Sequence, residues 1–411
     1  MSSCCHISVI PPTDRYPACP SALHVLALPR ARREHETHGP SSPCTTHAEG
    51  SAVLAPLSPS SVSICLLSSV QGVPIMAQEI ELKLALSQPV IDRDAILETL
   101  TSIAELATVA PRRRWLANTY FDTPEHALER ARMALRLRQS GEDADSTGAL
   151  RQTLKTSGES HGGLHSRGEW EWELPEGQTG LDLDGLRDLP PLQALEDGAR
   201  EQLLSALAPS FSTDFERHAW QIDVKATRSD ENVNDEQVTV GVEMALDLGA
   251  VKASGREVAI QEIELELTGG EELAPEVREG VLWQLADSLA SRLALRPADA
   301  SKAKRGAALR DGEWHEKTLD TADPGALLSA AIDALDAHAD RQAKDDLKWH
   351  AHALAALSAL ASRLAASQHP GHIHAVALVE ALESSDGDAS QDWATRDFGQ
   401  HSLSLLATLR G

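Results

Sequence analysis

The most constraining feature of this sequence is a short run in which charged and apolar residues alternate, Glu79-Ile80-Glu81-Leu82-Lys83. Because side chains along a β-strand point alternately to its two faces, the two carboxylates and the ammonium group share one face. Carboxylates two residues apart suit a hard divalent cation such as Mg²⁺, and the lysine is placed to meet a phosphate bound to that cation. An ordinary half-exposed strand would show the same pattern.

The alternation recurs in later strand-like runs, and there the signs of the charges are separated by strand. Arg136 and Arg138 are both basic, whereas Glu262, Glu264 and Glu266 form an acidic row. Rows of like charge are unfavourable unless a counter-ion or ligand lies between them, and a solvated sheet face tends to mix signs. The pattern therefore favours strands that enclose a polar interior over strands that face water.

Candidate ligands of both signs are numerous in these runs. The glutamates that could bind one or two metal ions through oxygen are Glu79, Glu81, Glu262 and Glu264. The cationic side chains that could surround several phosphates are Lys83, Arg136, Arg138, Lys155, Arg167, Arg217, Lys252 and Lys302. Glu171 and Glu173 are interpreted instead as an exposed face. This composition is typical of a metal-bound polyphosphate held in a closed barrel.

Charge and cysteine usage narrow the choice of partner and compartment. The net charge of −25 and the pI near 5.0 argue against nucleic acid, although a local basic cluster can still bind a small polyanion. The stretch 51–75 is too weakly apolar to span a bilayer, so no membrane association is expected. All five cysteines precede Met76, and the cysteine-free remainder fits a reducing cytoplasm.

The sequence divides into three parts. Residues 1–75 show neither helical nor strand period, and we expect them to be disordered or to come from a start codon assigned too early. Residues 76–310 alternate between strand-like runs and helical stretches, of which 89–107 and 274–293 are the clearest. Residues 320–411 are rich in alanine and carry leucines at helical spacing, so an all-helical tail is predicted.

The part from 76 to 310 resembles the CYTH superfamily, the triphosphate tunnel metalloenzymes. Its order and spacing are similar to the bacterial inorganic triphosphatase branch, in which this domain is followed by a CHAD domain. The motifs that carry the resemblance are Glu79-x-Glu81-x-Lys83 and the segments 118–124, 135–138, 153–155, 162–167, 212–215, 245–252, 262–266 and 301–306.

The resemblance implies an α+β fold in which an eight-stranded antiparallel β tunnel with flanking helices precedes a truncated or degenerate CHAD-like tail. It implies hydrolysis of inorganic triphosphate to diphosphate and phosphate with Mg²⁺ or Mn²⁺. Carried over by residue, the four glutamates above are metal ligands and the eight cations are phosphate contacts. Lys83 and Glu264 are the catalytic candidates. The tail is net acidic, which makes it a poor polyanion binder.

Two other functions stay open at this point. A relative of this kind could act on thiamine triphosphate or a nucleoside triphosphate, or cyclise ATP, although few aromatic residues are available to stack on a base. A non-catalytic module that binds polyphosphate would also carry basic rows. The intact acidic rows favour an enzyme, because loss of activity is usually accompanied by loss of the metal ligands.

Overall fold

A computed structural model describes residues 75–87, 92–144, 148–156, 158–230, 233–343, 346–385 and 392–410. The predicted N-terminal extension lies outside these residues, apart from residue 75. Within the described chain, strands fill the part up to residue 297 with helices between them, and helices alone follow. None of the described helices is both long enough and apolar enough to cross a membrane.

The strands of the described chain form one antiparallel sheet. They are β1 (Ile75–Leu86), β2 (Arg112–Asp122), β3 (Met133–Gly141), β4 (Leu150–Thr156), β5 (Glu159–His161), β6 (Leu164–Glu173), β7 (Ala208–Asp230), β8 (Val233–Ala253), β9 (Arg256–Leu267) and β10 (Leu295–Pro297).

The sheet closes on itself. The ladder runs β1-β9-β8-β7-β2-β3-β4-β6, and β6 pairs again with β1, so eight strands form a closed antiparallel barrel. The short strands β5 and β10 extend the ladder beside β6 and β1. Closure leaves the eight strands without a free edge and separates an inner from an outer face. The predicted eight-stranded antiparallel fold is confirmed.

The helices of the described chain fall into two groups. Those between or just after the strands are α1 (Arg93–Thr101), α2 (Ala127–Arg130), α3 (Leu183–Arg187), α4 (Pro190–Gln193), α5 (Asp197–Ala206), α6 (Pro275–Ala290) and α7 (Lys302–Asp311). The C-terminal helices are α8 (Pro324–Ala339), α9 (Lys348–Ala366), α10 (His372–Ser384) and α11 (Arg396–Arg410).

The alternation in the sequence explains which face of the barrel is apolar. In β1 and β9 the apolar residues Leu82, Leu84 and Leu265 belong to a buried cluster shared with Leu282 and Leu285 of α6. The barrel thus turns its apolar side outward onto helices, and the intervening charged residues face inward. This is the reverse of an ordinary sandwich, in which the inner faces are apolar.

One end of the barrel interior is apolar. Leu116 of β2, Phe215 of β7, Val251 of β8 and Ile260 of β9 form a cluster with Leu309 of α7. Each strand residue lies an even number of positions from the polar inward-facing residues of its strand, so it points inward as well. Helix α7 therefore packs on an apolar end of the interior, and its first residue, Lys302, reaches the polar part.

The C-terminal helices have a core of their own. Leucine and alanine side chains of α8, α9 and α10 are buried together with Trp393 and Phe398. Helix α11 approaches β10 so closely that a Cβ at Gly399 would overlap the carbonyl oxygen of Leu295. The tail is therefore packed directly against the segment that follows the barrel.

Candidate functional site

The polar part of the barrel interior is a cavity of about 870 Å³. Its wall carries ten of the residues predicted for the site: Glu79, Glu81, Lys83, Arg136, Arg138, Lys155, Arg167, Arg217, Glu264 and Lys302. These residues come from six strands and from α7, and 223 residues of sequence separate the first from the last. Closure of the sheet is what brings them together.

The first charged cluster joins three carboxylates to three cations. The carboxylate oxygens of Asp247, Glu262 and Glu264 approach within 4.8 Å of one another. The ammonium group of Lys302 donates to Asp247 at 2.7 Å and to Glu264 at 3.0 Å, and it also contacts Glu262. The ammonium group of Lys83 donates to Glu262 at 3.1 Å and to Glu264. Register explains the pairing, since Lys83 lies directly opposite Glu264 and Asp247 opposite Glu262.

Arg217 completes this cluster from β7. Its guanidinium group donates two hydrogen bonds of 2.7 Å to Asp247, which is fully buried, and a third to Glu264. A bidentate pair of this kind holds both partners in a fixed orientation.

The cluster fixes the charge state of its members. Burial disfavours the charge of Lys83, but the carboxylates of Glu262 and Glu264 outweigh burial and raise its pKa. Burial likewise opposes the charge of Glu264, and Lys302, Lys83 and Arg217 together hold its pKa well below the ordinary value. Lys83 and Glu264 are therefore charged at neutral pH, and neither readily exchanges a proton there.

The second cluster lies around the start of the alternating run. The carboxylate of Glu79 accepts hydrogen bonds of 2.8 Å from Lys155 and 2.9 Å from Arg167. Arg167 also donates to Glu81. Burial opposes ionisation of Glu79, but Lys155 and Arg167 outweigh it and lower the pKa of this carboxyl group.

Negative charge is in excess beside this second cluster. Glu266 lies directly opposite Glu81 in the β1–β9 ladder and opposite Glu243 in the β8–β9 ladder. Burial raises the pKa of Glu266 to about 8, Glu79, Glu81 and Glu243 add to the rise, and Lys155 opposes it. The carboxylates gathered around Glu266 make this place suitable for a cation.

Positive charge is in excess on the other side of the barrel. Strand β3 is four strands away from β9 around the ring, so Arg138 lies across the interior from the acidic row. Burial lowers the pKa of Arg138 to about 10, and the neighbouring charges of Arg136 and Arg217 contribute. Arg138 still stays charged at neutral pH, and Asn118 fixes it by accepting a hydrogen bond of 2.9 Å from its Nε. This side of the cavity is suited to an anion.

Two predicted site residues are placed differently from the rest. Lys252 lies outside the cavity, its side chain is 47% exposed, and it pairs with Asp214 at 3.1 Å. The reason is strand parity, because Lys252 is an odd number of residues after the inward-facing Asp247 and points to the other face. Glu262 points into the barrel like Glu264, but it is buried beside Lys83 and Lys302 and does not line the cavity.

The expected exposed face of β6 is also only half correct. Glu173 is exposed, with its side chain 46% accessible, but Glu171 lines the cavity and accepts a hydrogen bond of 2.9 Å from Thr153. Trp170 and Trp172, which alternate with these glutamates, are the residues that face outward into a buried cluster. The two tryptophans are the signal in the sequence that could have identified the inward face.

Sequence reasoning missed an aromatic pair in the cavity wall. The rings of Tyr120 and Phe211 stack with their centroids 4.5 Å apart. Burial opposes ionisation of Tyr120, but the adjacent Arg136 outweighs it and lowers the pKa of the phenol. The two residues are 91 positions apart in sequence, so only the β2–β7 pairing brings them together.

The carboxylates fit a divalent cation unequally. Mg²⁺ and Mn²⁺ prefer oxygen ligands, and carboxylates supply them in both clusters. In the first cluster the oxygens already accept hydrogen bonds from Lys83, Lys302 and Arg217, so a cation there would compete with three fixed charges. In the second cluster Lys155 and Arg167 also engage Glu79 and Glu81, but Glu266 and Glu243 lie beside them. Carboxylates therefore outnumber cations there, and the residues present fit a divalent cation better.

Comparison with known proteins extends these observations. The model of the CYTH domain family matches residues 77–307. The inorganic triphosphatase of Haemophilus influenzae is 35% identical over 232 residues, which cover 56% of this chain and 55% of that protein. The match thus spans about half the length of that relative.

The solved structures that match this chain share less sequence with it. A putative adenylyl cyclase from Hippeastrum, described as having a dominant triphosphatase activity, is 19% identical, with 58% of this chain and 97% of that chain covered and a TM-score of 0.36. A putative adenylate cyclase from Bacillus halodurans is 17% identical, with 55% of this chain and 96% of that chain covered and a TM-score of 0.30.

Proposed function

Since the chain belongs to the CYTH family, we propose that it hydrolyses inorganic triphosphate to diphosphate and phosphate with Mg²⁺ or Mn²⁺. The observation that carries the proposal is the pair of opposite charge excesses inside one closed barrel. The carboxylates around Glu266 favour binding of a cation, and the guanidinium groups around Arg138 favour binding of an anion. A polyphosphate that carries a divalent cation satisfies both at once.

The cations of the cavity wall are assigned to the substrate. Arg136, Arg138, Lys155, Arg167 and Lys302 all line the cavity, and guanidinium groups suit the paired oxygens of phosphate. Phosphoryl transfer depends mainly on positioning and on neutralising charge, which is what a fixed array of cations supplies. The cavity volume of about 870 Å³ leaves room for water beside a triphosphate.

The acidic side is assigned to the metal and to the attacking water. When bound, a divalent cation neutralises phosphate oxygens and polarises water. Glu79, Glu81 and Glu266 are the proposed principal ligands, while Glu262 and Glu264 hold Lys83 and Lys302 in place.

We assign to Lys83 the role of a permanent positive charge and not that of a proton donor or acceptor, because its carboxylate partners keep it protonated. A carboxylate of the β9 row accepts the proton from water. Glu266 suits that role better than Glu264, which three cations already engage, because a cation bound beside Glu266 would ionise it at neutral pH.

A nucleoside triphosphate is the second candidate substrate, because Tyr120 and Phe211 supply aromatic surface in the cavity wall. We nevertheless rank it lower, since the two rings already stack on each other. The proposed division of the chain into a tunnel domain over 76–310 and a CHAD-like helical region over 320–411 gives the substrate site to the first part alone.

The experiment is an assay of phosphate release from triphosphate, ATP and thiamine triphosphate by the purified chain with Mg²⁺. We expect triphosphate to have the highest kcat/KM. The matched control is Lys252→Met, which removes a cation outside the cavity and is expected to leave turnover unchanged. Phosphate released mainly from ATP would overturn the choice of substrate, and no release from any of them would favour a binding module.

A further inference from the structure

The C-terminal helical region contacts the barrel through an acidic face of α8. Asp333 and Asp336 lie in α8 and Asp340 is its C-cap, and their spacing of three and four residues puts them on the same side. These three residues are called the acidic face of α8. All three side chains are buried or nearly so, with exposed fractions of 2%, 5% and 9%. Buried carboxylates need compensating partners, and each of these finds them in the segment 296–305.

Asp336 fixes the backbone just before α7. Its Oδ2 accepts hydrogen bonds of 2.9 Å and 2.8 Å from the backbone N–H groups of Asp299 and Ala300. Its Oδ1 accepts from Nη1 of Arg296, whose guanidinium group is itself buried. Only Ser301, the N-cap of α7, lies between Ala300 and Lys302, so Asp336 holds the backbone directly before α7.

Asp340 and Asp333 fix the first turn of α7. Asp340 receives a bidentate pair of 2.7 Å hydrogen bonds from Arg305, and Asp333 contacts the ammonium group of Lys304. Arg305 also lies 3.6 Å from the carboxylate of Glu262, so it stands between the helical region and the first charged cluster. The guanidinium group of Arg305 therefore binds Asp340 more closely than it binds Glu262.

From these contacts we propose that the acidic face of α8 positions Lys302 and Arg305 for turnover, so that the barrel active site depends on the helical region. This inference rests on the proposed function. Lys302 donates to three carboxylates inside the barrel, and a lysine side chain can do so only if its backbone is held at the right distance. Displacing a positioning group by about 1 Å can cost on the order of a hundredfold in rate.

The first variant is Asp340→Asn, which keeps the shape of the side chain and removes its charge. Arg305 is then free to pair more closely with Glu262, one of the carboxylates that hold Lys302. We expect kcat/KM for triphosphate to fall about tenfold or more, mainly through a rise in KM, because Lys302 is assigned to the substrate. Asp340→Glu restores the bidentate pair and is expected to restore both values substantially. A merely structural contact would lower the fraction of folded enzyme, and with it kcat, and would leave KM unchanged.

The matched control is Glu380→Gln, which removes an exposed charge from α10, away from this interface. It is expected to match the unmodified chain in kcat and in KM for triphosphate. If Asp340→Asn behaves like Glu380→Gln, the positioning role is overturned even though the proposed function stands.

Amide hydrogen exchange gives a readout that needs no turnover. In Asp336→Asn, the amides of Asp299, Ala300 and residues 302–306 should exchange at least about tenfold faster, while those of β2 and β3 keep their rates. Unchanged exchange in 299–306 would overturn the inference whether or not the chain hydrolyses triphosphate. Absence of turnover in the unmodified chain would instead contradict the proposed function. If Asp336→Asn does not fold, the same exchange measurement on Asp340→Asn decides between these outcomes.

Discussion

Substitution of Arg138 should lower kcat/KM for triphosphate far more than it changes the free energy of unfolding. Arg138 sits among other cations, and burial together with Arg136 and Arg217 lowers its pKa to about 10. Its charge is therefore unfavourable in the folded protein. Arg138→Met removes that unfavourable charge and loses one hydrogen bond, the 2.9 Å contact to Asn118. A hydrogen bond of this kind contributes about 1 kcal/mol, so the free energy of unfolding should change by no more than about that amount.

The same substitution should damage catalysis severely. A hydrogen bond from a charged group to phosphate contributes about 1.5–3 kcal/mol. Since about 1.4 kcal/mol corresponds to a factor of ten, kcat/KM for triphosphate should fall roughly ten- to a hundredfold. The assays are urea denaturation for stability and phosphate release for turnover, on the same preparation.

Arg167→Met is the matched comparison, because Arg167 also lines the cavity but has carboxylate partners. Burial opposes its charge, yet Glu81 and Glu79 outweigh burial and raise its pKa. Its removal leaves two buried carboxylates without a shared partner, which should cost about 3–5 kcal/mol of stability. If Arg138→Met lost as much stability as Arg167→Met, or kept its kcat/KM, then the side of the barrel at Arg138 would not be an anion-binding site.

Glu79→Gln should lower triphosphate turnover by about a hundredfold or more, and unchanged turnover would show that the metal assignment is wrong. Chelation with EDTA should stop phosphate release, and added Mg²⁺ or Mn²⁺ should restore it; release that persists in EDTA would contradict metal dependence. Burial and the charge of Arg341 lower the pKa of His338 to about 3, against about 6.5 when unfolded. The unfolded chain therefore binds more protons between these values, and stability falls as pH drops through that window. His338→Met should flatten the fall in urea denaturation, whereas His315→Met, at an exposed position, should keep it; equal slopes for both would contradict the assignment.

The fold could be predicted largely because alternation and motif order are local properties of the sequence. The run around Glu79 and the acidic row of β9 both alternate without interruption, and the structure places both in the barrel. The helix predicted over 89–107 is shorter, because α1 ends at Thr101 and the apolar residues Ile103 and Leu106 continue in turns. Apolar periodicity reports burial, and it persists where the chain is buried without being helical.

The partners within the site could not be predicted in the same way. Lys83 pairs with Glu264 because of the β1–β9 register, and a shift of one residue would turn either side chain to the other face. The errors at Lys252 and Glu171 have the same origin, since each depends on which face of a strand points inward. Asp336 and Asp340 carry no signal in the sequence at all, because their partners lie in a segment that only the packing of α8 brings near.

A crystal structure of the chain with triphosphate and Mn²⁺, in which anomalous scattering locates the metal, tests the proposed site most directly. We expect triphosphate inside the barrel, with its oxygens contacting Arg136 and Arg138 and Mn²⁺ on the side of Glu79, Glu81 and Glu266. Triphosphate bound outside the barrel, or Mn²⁺ located away from these carboxylates, would contradict the proposed site.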